Sequence, residues 1–142
     1  MLGGLLGAVA LGGHAWAQGI CGLATLQGTY VYHQNGADLR AGQPAVVAMA
    51  GTETFTGAGT VRGVLTQSLN GQVTRRVRYI GTYTVAPSCL GTLSATDENA
   101  HPISRDLFLG PEGTAFTFVT TDPGVATGGS AQRVNLLRNP GQ

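Results

Sequence analysis

The stretch Thr60–Val85, TVRGVLTQSLNGQVTRRVRYIGTYTV, decides the fold class. Two runs of alternating polar and apolar residues, Thr60–Leu69 and Val73–Val85, flank Asn70-Gly71. Asn-Gly tolerates the positive φ that both central residues of a type I′ turn require, so the stretch predicts an antiparallel hairpin. Period-two alternation then assigns the faces. Val61, Gly63, Leu65, Gln67 and Leu69 share the more apolar face of the first run, opposite Arg62, Val64, Thr66 and Ser68. In the second run Arg75, Val77, Tyr79, Gly81, Tyr83 and Val85 fall together, leaving Arg76, Arg78, Thr82 and Thr84 outside.

The same rhythm continues in both directions. Leu26–Gln34 and Val46–Phe55 precede the hairpin; Leu90–Thr96, Ile103–Leu109, Thr114–Thr121 and Ser130–Leu137 follow it. Gly57-Ala58-Gly59 and Gly110-Pro111-Glu112-Gly113 are tight joints. Asn35–Pro44 and Asp122–Gly129 read as longer loops, the second turning at Pro123-Gly124. Joints this short leave no room for crossover helices, so chain neighbours should pair antiparallel. A meander of eight strands either closes or exposes two edges, and closure removes the edge hazard. The expected fold is therefore all-β, an eight-stranded antiparallel up-and-down barrel, favoured over a two-sheet sandwich. Gly63, Gly81 and Gly91 within strands are expected to let the sheet bend.

Of 142 residues, 42% are apolar and 11% charged, enough for one modest core and too few charges for a disordered polyelectrolyte. All eight basic residues are arginines, and the net charge is +1, without the basic surplus of a nucleic-acid binder. Leu2–Leu11 is a short apolar run followed by Ala15-Trp16-Ala17, small residues at the two positions a signal peptidase reads. Residues 1–17 are thus expected to be a signal peptide and 18–142 a single domain, exported to the periplasm or outside the cell. A buried N-terminal helix is the alternative, and the lack of Lys or Arg before the run leaves open where the signal starts. No later run is long enough to cross a bilayer as a helix.

Cys21 and Cys89 are the only cysteines. In an oxidising compartment two such thiols are expected to form one disulfide. A redox pair lacks the CxxC spacing that lowers a thiol pKa, and a zinc site lacks histidine partners.

Gly81-Thr82-Tyr83-Thr84-Val85-Ala86-Pro87-Ser88-Cys89-Leu90-Gly91-Thr92-Leu93 is the most distinctive sequence, and Leu26-Gln27-Gly28-Thr29-Tyr30 after Cys21 is an earlier, shorter copy. Together they resemble a group of uncharacterised secreted bacterial proteins with a Cys-x4-Leu-x-Gly-Thr-Tyr start and a GTYTV-x-P-x-C-x-GTL centre. That group is similar in fold to the allene oxide cyclase barrels, which are calycin-like cups. The resemblance implies an exported barrel. It assigns no activity, because no catalytic residue of the cyclases matches a position in this chain.

Alternation also groups Val47, Met49, Gly51, Glu53 and Phe55, then Leu93, Ala95 and Asp97, then Gln132, Val134 and Leu136. The inner faces therefore carry polar intruders: Glu53, Gln67, Arg75, Asp97 and Gln132. A barrel interior tolerates charge only when it is paired or wet. Glu53 and Arg75, two strands apart, are expected to bridge. Glu53, Gln67 and Arg75 are the expected polar ligand contacts, with Tyr79 and Tyr83 as flat walls. Structural pairing or misassigned rim positions are the plainer reading of the same residues.

No nucleophile elbow and no set of metal ligands can be assembled, so no metal or cofactor is expected. His33 and His101 read as surface residues. Arg75, Arg76 and Arg78 split across two faces of one strand and make no phosphate patch. Two functions compete. One is a non-catalytic barrel that binds a small apolar ligand or serves a structural role at the cell surface. The other is a cofactor-free cyclase or isomerase using Glu53 and Arg75. Assembly through loops or strand edges is a third class, on which the sequence is silent.

Overall fold

The computed structural model describes residues 20–134. The expected signal peptide, and Leu136 and Leu137 of the expected last strand, lie outside them. A short 3-10 turn, Leu23–Thr25, leads into eight strands: β1 (Gln27–Asp38), β2 (Ala45–Thr56), β3 (Thr60–Leu69), β4 (Gln72–Val85), β5 (Leu90–Asp97), β6 (Pro102–Leu109), β7 (Ala115–Thr120) and β8 (Val125–Arg133). Each pairs antiparallel with its chain neighbour, and β8 pairs with β1 to close an up-and-down barrel. Asn70 and Gly71 take φ of 50° and 85°, the left-handed values that the hairpin turn demands.

The closing seam departs from expectation. Residues 35–38 and 125–129 extend β1 and β8 and pair with each other, from Asn35↔Gly128 to Asp38↔Val125. Both stretches look like loops because they are small, polar and rich in glycine. Here that composition serves close backbone approach. A Cβ on Gly36 would sit 2.0 Å from the Ala126 carbonyl oxygen, and one on Gly129 would sit 1.9 Å from that of His33. The longer β8 also sets its face: Thr127 and Ala131 are buried, and Gln132 and Val134 are exposed. The inward placement of Gln132 and Val134 is corrected accordingly.

A β-bulge makes the second correction. Leu65 pairs with Val77 but Gln67 pairs with Thr74, so β4 has one residue more than β3 between these points. Arg76 absorbs it at φ 56°. Val77, Tyr79 and Tyr83 keep their inward face, whereas Arg75 is turned to solvent. Simple alternation carried through the bulge assigns Arg75 to the wrong side.

Gly63 and Gly51 have a different role from the bending expected of strand glycines. Gly63 faces Tyr79 across the β3–β4 pair, and Gly51 faces Tyr32 across β1–β2. A Cβ at Gly63 would lie 2.3 Å from the Tyr79 hydroxyl, and one at Gly51 would lie 3.0 Å from that of Tyr32. The missing side chains are filled by phenol rings that reach across the interior.

One end of the barrel is plugged. Tyr30, Phe55, Tyr83 and Phe116 stack there, with Tyr30–Phe55 and Phe55–Tyr83 centroids 5.4 and 5.0 Å apart in edge-to-face geometry. Leu26 is fully buried with them. The Tyr83 hydroxyl bonds to the carbonyls of Leu23 and Leu26, each at 2.9 Å, and Tyr30 donates to the Gly113 carbonyl. Cys21 is joined to Cys89, in the β4–β5 turn, by the expected disulfide. These contacts fasten the N-terminal segment over this end as a lid.

Candidate functional site

The opposite end is open. Here the turns β1–β2, β3–β4, β5–β6 and β7–β8 surround a cup of about 380 Å³, at the small end of ligand-site volumes. Its wall is two-sided. Strands β2, β3 and β4 present mainly Val47, Met49, Leu65, Leu69 and Val77, with Gln67 and Thr74 nearer the rim turn. Strands β6, β7, β8 and β1 present Arg105, Thr120, Thr127 and Gln34, all buried, which places them deep in the cup.

Arg105 organises the polar side. Only 2% exposed, it donates from Nη1 to Glu53 Oε2 at 3.1 Å, and Glu53 is 1% exposed. Its guanidinium lies over both the Tyr32 and Phe118 rings, 4.8 and 4.5 Å from their centroids, making two desolvated cation–π contacts with rings that are themselves edge to face. Burial is the largest influence on Arg105 and disfavours the cation, but the neighbouring Glu53 charge, with Tyr32 and Tyr79, outweighs it and holds the pKa above the usual arginine value.

Glu53 Oε2 also accepts from the Tyr79 hydroxyl at 2.6 Å, and the Tyr79 and Tyr32 hydroxyls are 3.1 Å apart. Burial first, and the Glu53 charge second, push the Tyr79 pKa well above 10, so the phenol stays a donor. Burial likewise raises Tyr32.

Gln34 connects Arg105 to the two threonines. Its Oε1 accepts from Arg105 Nη2 at 3.4 Å, and its Nε2 donates to Thr120 and Thr127 at 3.1 and 2.7 Å. Turning the amide over would set NH₂ against guanidinium, donor against donor, so the arginine fixes the amide's direction. The two threonine hydroxyls share a bond of 2.7 Å. Among the described residues, Glu53 Oε1 and Arg105 Nε have no hydrogen-bond partner although both are buried.

The rim carries charge in excess of one sign. Among the described residues, Asp38, Asp97 and Asp122 stand there against one arginine, Arg40, with His101 beside them. Arg40 binds Asp38 through Nη2 at 2.6 Å and holds its carboxyl down to about 2. Burial would raise Asp97, but the backbone N–H groups of His101 and Asn99 prevail and lower it. Asp122 accepts from the Ser104 N–H at 2.9 Å. All three therefore shape the turns of the open end as well as charging it.

The five residues expected to contact a ligand are thus dispersed. Gln67 lines the cup. Glu53 and Tyr79 are buried in the network beneath it, behind Arg105 rather than on the wall. Tyr83 is in the plug at the far end, where its hydroxyl holds the lid. Arg75 is outside on the bulge, and the expected Glu53–Arg75 bridge is replaced by Glu53–Arg105. Arg105 was legible: Ile103, Arg105, Leu107 and Leu109 alternate on one face of β6. Gln34, Thr120 and Thr127 give no such signal, because a threonine or glutamine in a strand is unremarkable on either face. A broader depression of about 730 Å³ lies on the outer surface of β6, β7, β8 and β1, between Phe108 and His33. It is open, and Glu53, Arg105, Gln34, Thr120 and Thr127 do not line it.

Among the described residues no helix is long and apolar enough to cross a membrane, and no group of side chains could hold a metal ion. Comparison with protein-family models, with curated proteins and with solved structures finds no match to this chain.

Proposed function

We propose that this protein is an exported binding barrel whose open cup takes one small, largely apolar ligand. The observation that carries the reading is the unlike construction of the two ends. Aromatic rings, a covalently fastened lid and bonds from Tyr30 and Tyr83 fill one end, whereas the other keeps a two-sided cavity over a buried polar network. Close packing is the norm in protein interiors. A barrel whose only task was to fold would fill both ends alike.

A binding role fits the placement of the charged pair better than cyclase or isomerase chemistry. Glu53, the one buried carboxylate among the described residues, is held by Arg105 and Tyr79 behind the cup wall, out of reach of a ligand's reacting atoms. Export is supported by the Cys21–Cys89 bridge and the leader-like first 17 residues. The Gly-Thr-Tyr and Cys motifs support a resemblance to secreted bacterial proteins whose fold is similar to that of the allene oxide cyclase barrels.

Native mass spectrometry of protein purified without denaturation tests the proposal. The expected spectrum contains a small-molecule adduct that is released on denaturation and missing from Met49→Trp, which fills the cup. Bare chain in the wild-type spectrum, together with no rise in Tm from any of a panel of small amphiphiles, overturns it.

A further inference from the structure

The polar side of the cup carries more donors than its acceptors use. Gln34 gives both Nε2 hydrogens to Thr120 and Thr127, so each threonine oxygen already accepts a bond. The two hydroxyls then share a single bond between them. Whichever way that bond runs, one hydroxyl proton is left over, and among the described residues no other acceptor bonds to either oxygen. Arg105 adds to the surplus. Of its five N–H groups, Nη1 bonds to Glu53 and Nη2 makes a long bond to Gln34, while the buried Nε has no partner. Arg105, Thr120 and Thr127 all line the cup. A buried donor without an acceptor costs about 1–3 kcal/mol, so this wall selects a ligand that brings an oxygen.

The charges specify which kind of oxygen. The Arg105 cation is already matched by Glu53 at 3.1 Å, which leaves no free positive charge at depth. Asp38, Asp97 and Asp122 outnumber Arg40 at the rim through which a ligand passes. A carboxylate would lose its hydration against a neutralised arginine and cross an acidic mouth. An uncharged carbonyl would satisfy the same donors without either penalty.

Resting on the binding role proposed above, we infer that the cup selects an uncharged oxygen-acceptor ligand, a ketone, aldehyde or ester. Its oxygen points at Arg105 and the Thr120–Thr127 pair, and its hydrocarbon lies against Met49, Leu65 and Val77.

Three probes of one chain length test this by titration calorimetry and thermal shift on the intact, disulfide-bonded protein: 2-octanone, octanoate and octylamine. The ketone is expected to bind at least tenfold more tightly than the carboxylate or the amine. Thr120→Val/Thr127→Val removes both hydroxyls and should weaken the ketone about fivefold, the ratio that one neutral hydrogen bond supplies. Thr120→Ser/Thr127→Ser keeps both hydroxyls and should retain wild-type affinity. If the valine pair does not fold, the ranking of probes on the wild-type chain still decides the matter. Octanoate or octylamine binding as tightly as the ketone overturns this inference and leaves the binding role standing, provided Met49→Trp abolishes that binding. No binding by any probe overturns this inference, and joined to a bare native spectrum it overturns the binding role as well.

Discussion

Arg105 and Glu53 form the ion pair on which the interior depends, and what the pair contributes is separable from what breaking it costs. Arg105→Leu leaves a buried carboxylate facing Tyr79 alone, and Glu53→Leu leaves a buried cation. Each single change is expected to lower unfolding free energy by about 3–5 kcal/mol, whereas Glu53→Leu/Arg105→Leu should be neutral or up to about 4 kcal/mol more stable. Urea denaturation of the three variants checks this, and a double variant as unstable as the sum of the singles would contradict it. The phenols set a pH limit. Tyr32, Tyr79 and Tyr83 are raised above 10, chiefly by burial, so the stability they confer is complete below pH 10. It is lost as pH rises through the folded values. In an alkaline titration, phenolate absorbance from these residues should grow only as the far-ultraviolet strand signal collapses. Ionisation near pH 10 in a folded barrel would refute that assignment.

At the level of the strand, glycine marks where another chain segment or ring comes close. Gly63→Ala would place a methyl 2.3 Å from the Tyr79 hydroxyl, which is held by Glu53 and cannot swing freely. The expected cost is about 1–3 kcal/mol, the range for overpacking, with the melting temperature as readout. Tyr79→Phe in the same background should not recover the loss, because the ring carbon Cζ, 2.2 Å from the added methyl, remains. The β4 bulge supplies a contrast. Arg75 is exposed beside Arg76, which carries the positive φ, so Arg75→Ala should change stability by less than about 0.5 kcal/mol. A large effect would mean that Arg75 has the interior place that unbroken alternation gives it.

For the molecule as a whole, the disulfide links a lid to a barrel that is closed without it. Cys21 and Cys89 are 68 residues apart, a loop worth about 4 kcal/mol in the chain-entropy account. The eight strand pairings around the barrel involve neither cysteine in their registers. Reduction is therefore expected to lower the unfolding free energy by an amount of that order, and the midpoint with it, while leaving the circular dichroism of the folded protein unchanged. Loss of strand signal on reduction alone would show that the lid is needed for closure. Because the lid and the cup are at opposite ends, reduction should leave ligand affinity at temperatures well below the midpoint unaltered.

Local properties were readable from the residues alone. Asn70-Gly71 named its turn because positive φ belongs to those two residues, and β3 runs from Thr60 to Leu69 as its alternation indicates. The inward faces of Val47–Phe55 and Val61–Leu69 follow from the same period of two, and the pairing of Cys21 with Cys89 from their being the only thiols. Apart from the disulfide and the closure of the meander, what required two distant segments to meet was decided by tertiary structure. The seam between residues 35–38 and 125–129 exists because two glycine-rich stretches can approach closely, and neither stretch alternates enough to announce it. Arg75 faces out because β4 carries one residue more than β3 opposite Thr66, a mismatch between strands that neither strand contains by itself. Glu53 finds its partner on β6, 52 residues away, only because the sheet curls until those strands face each other across a shared interior.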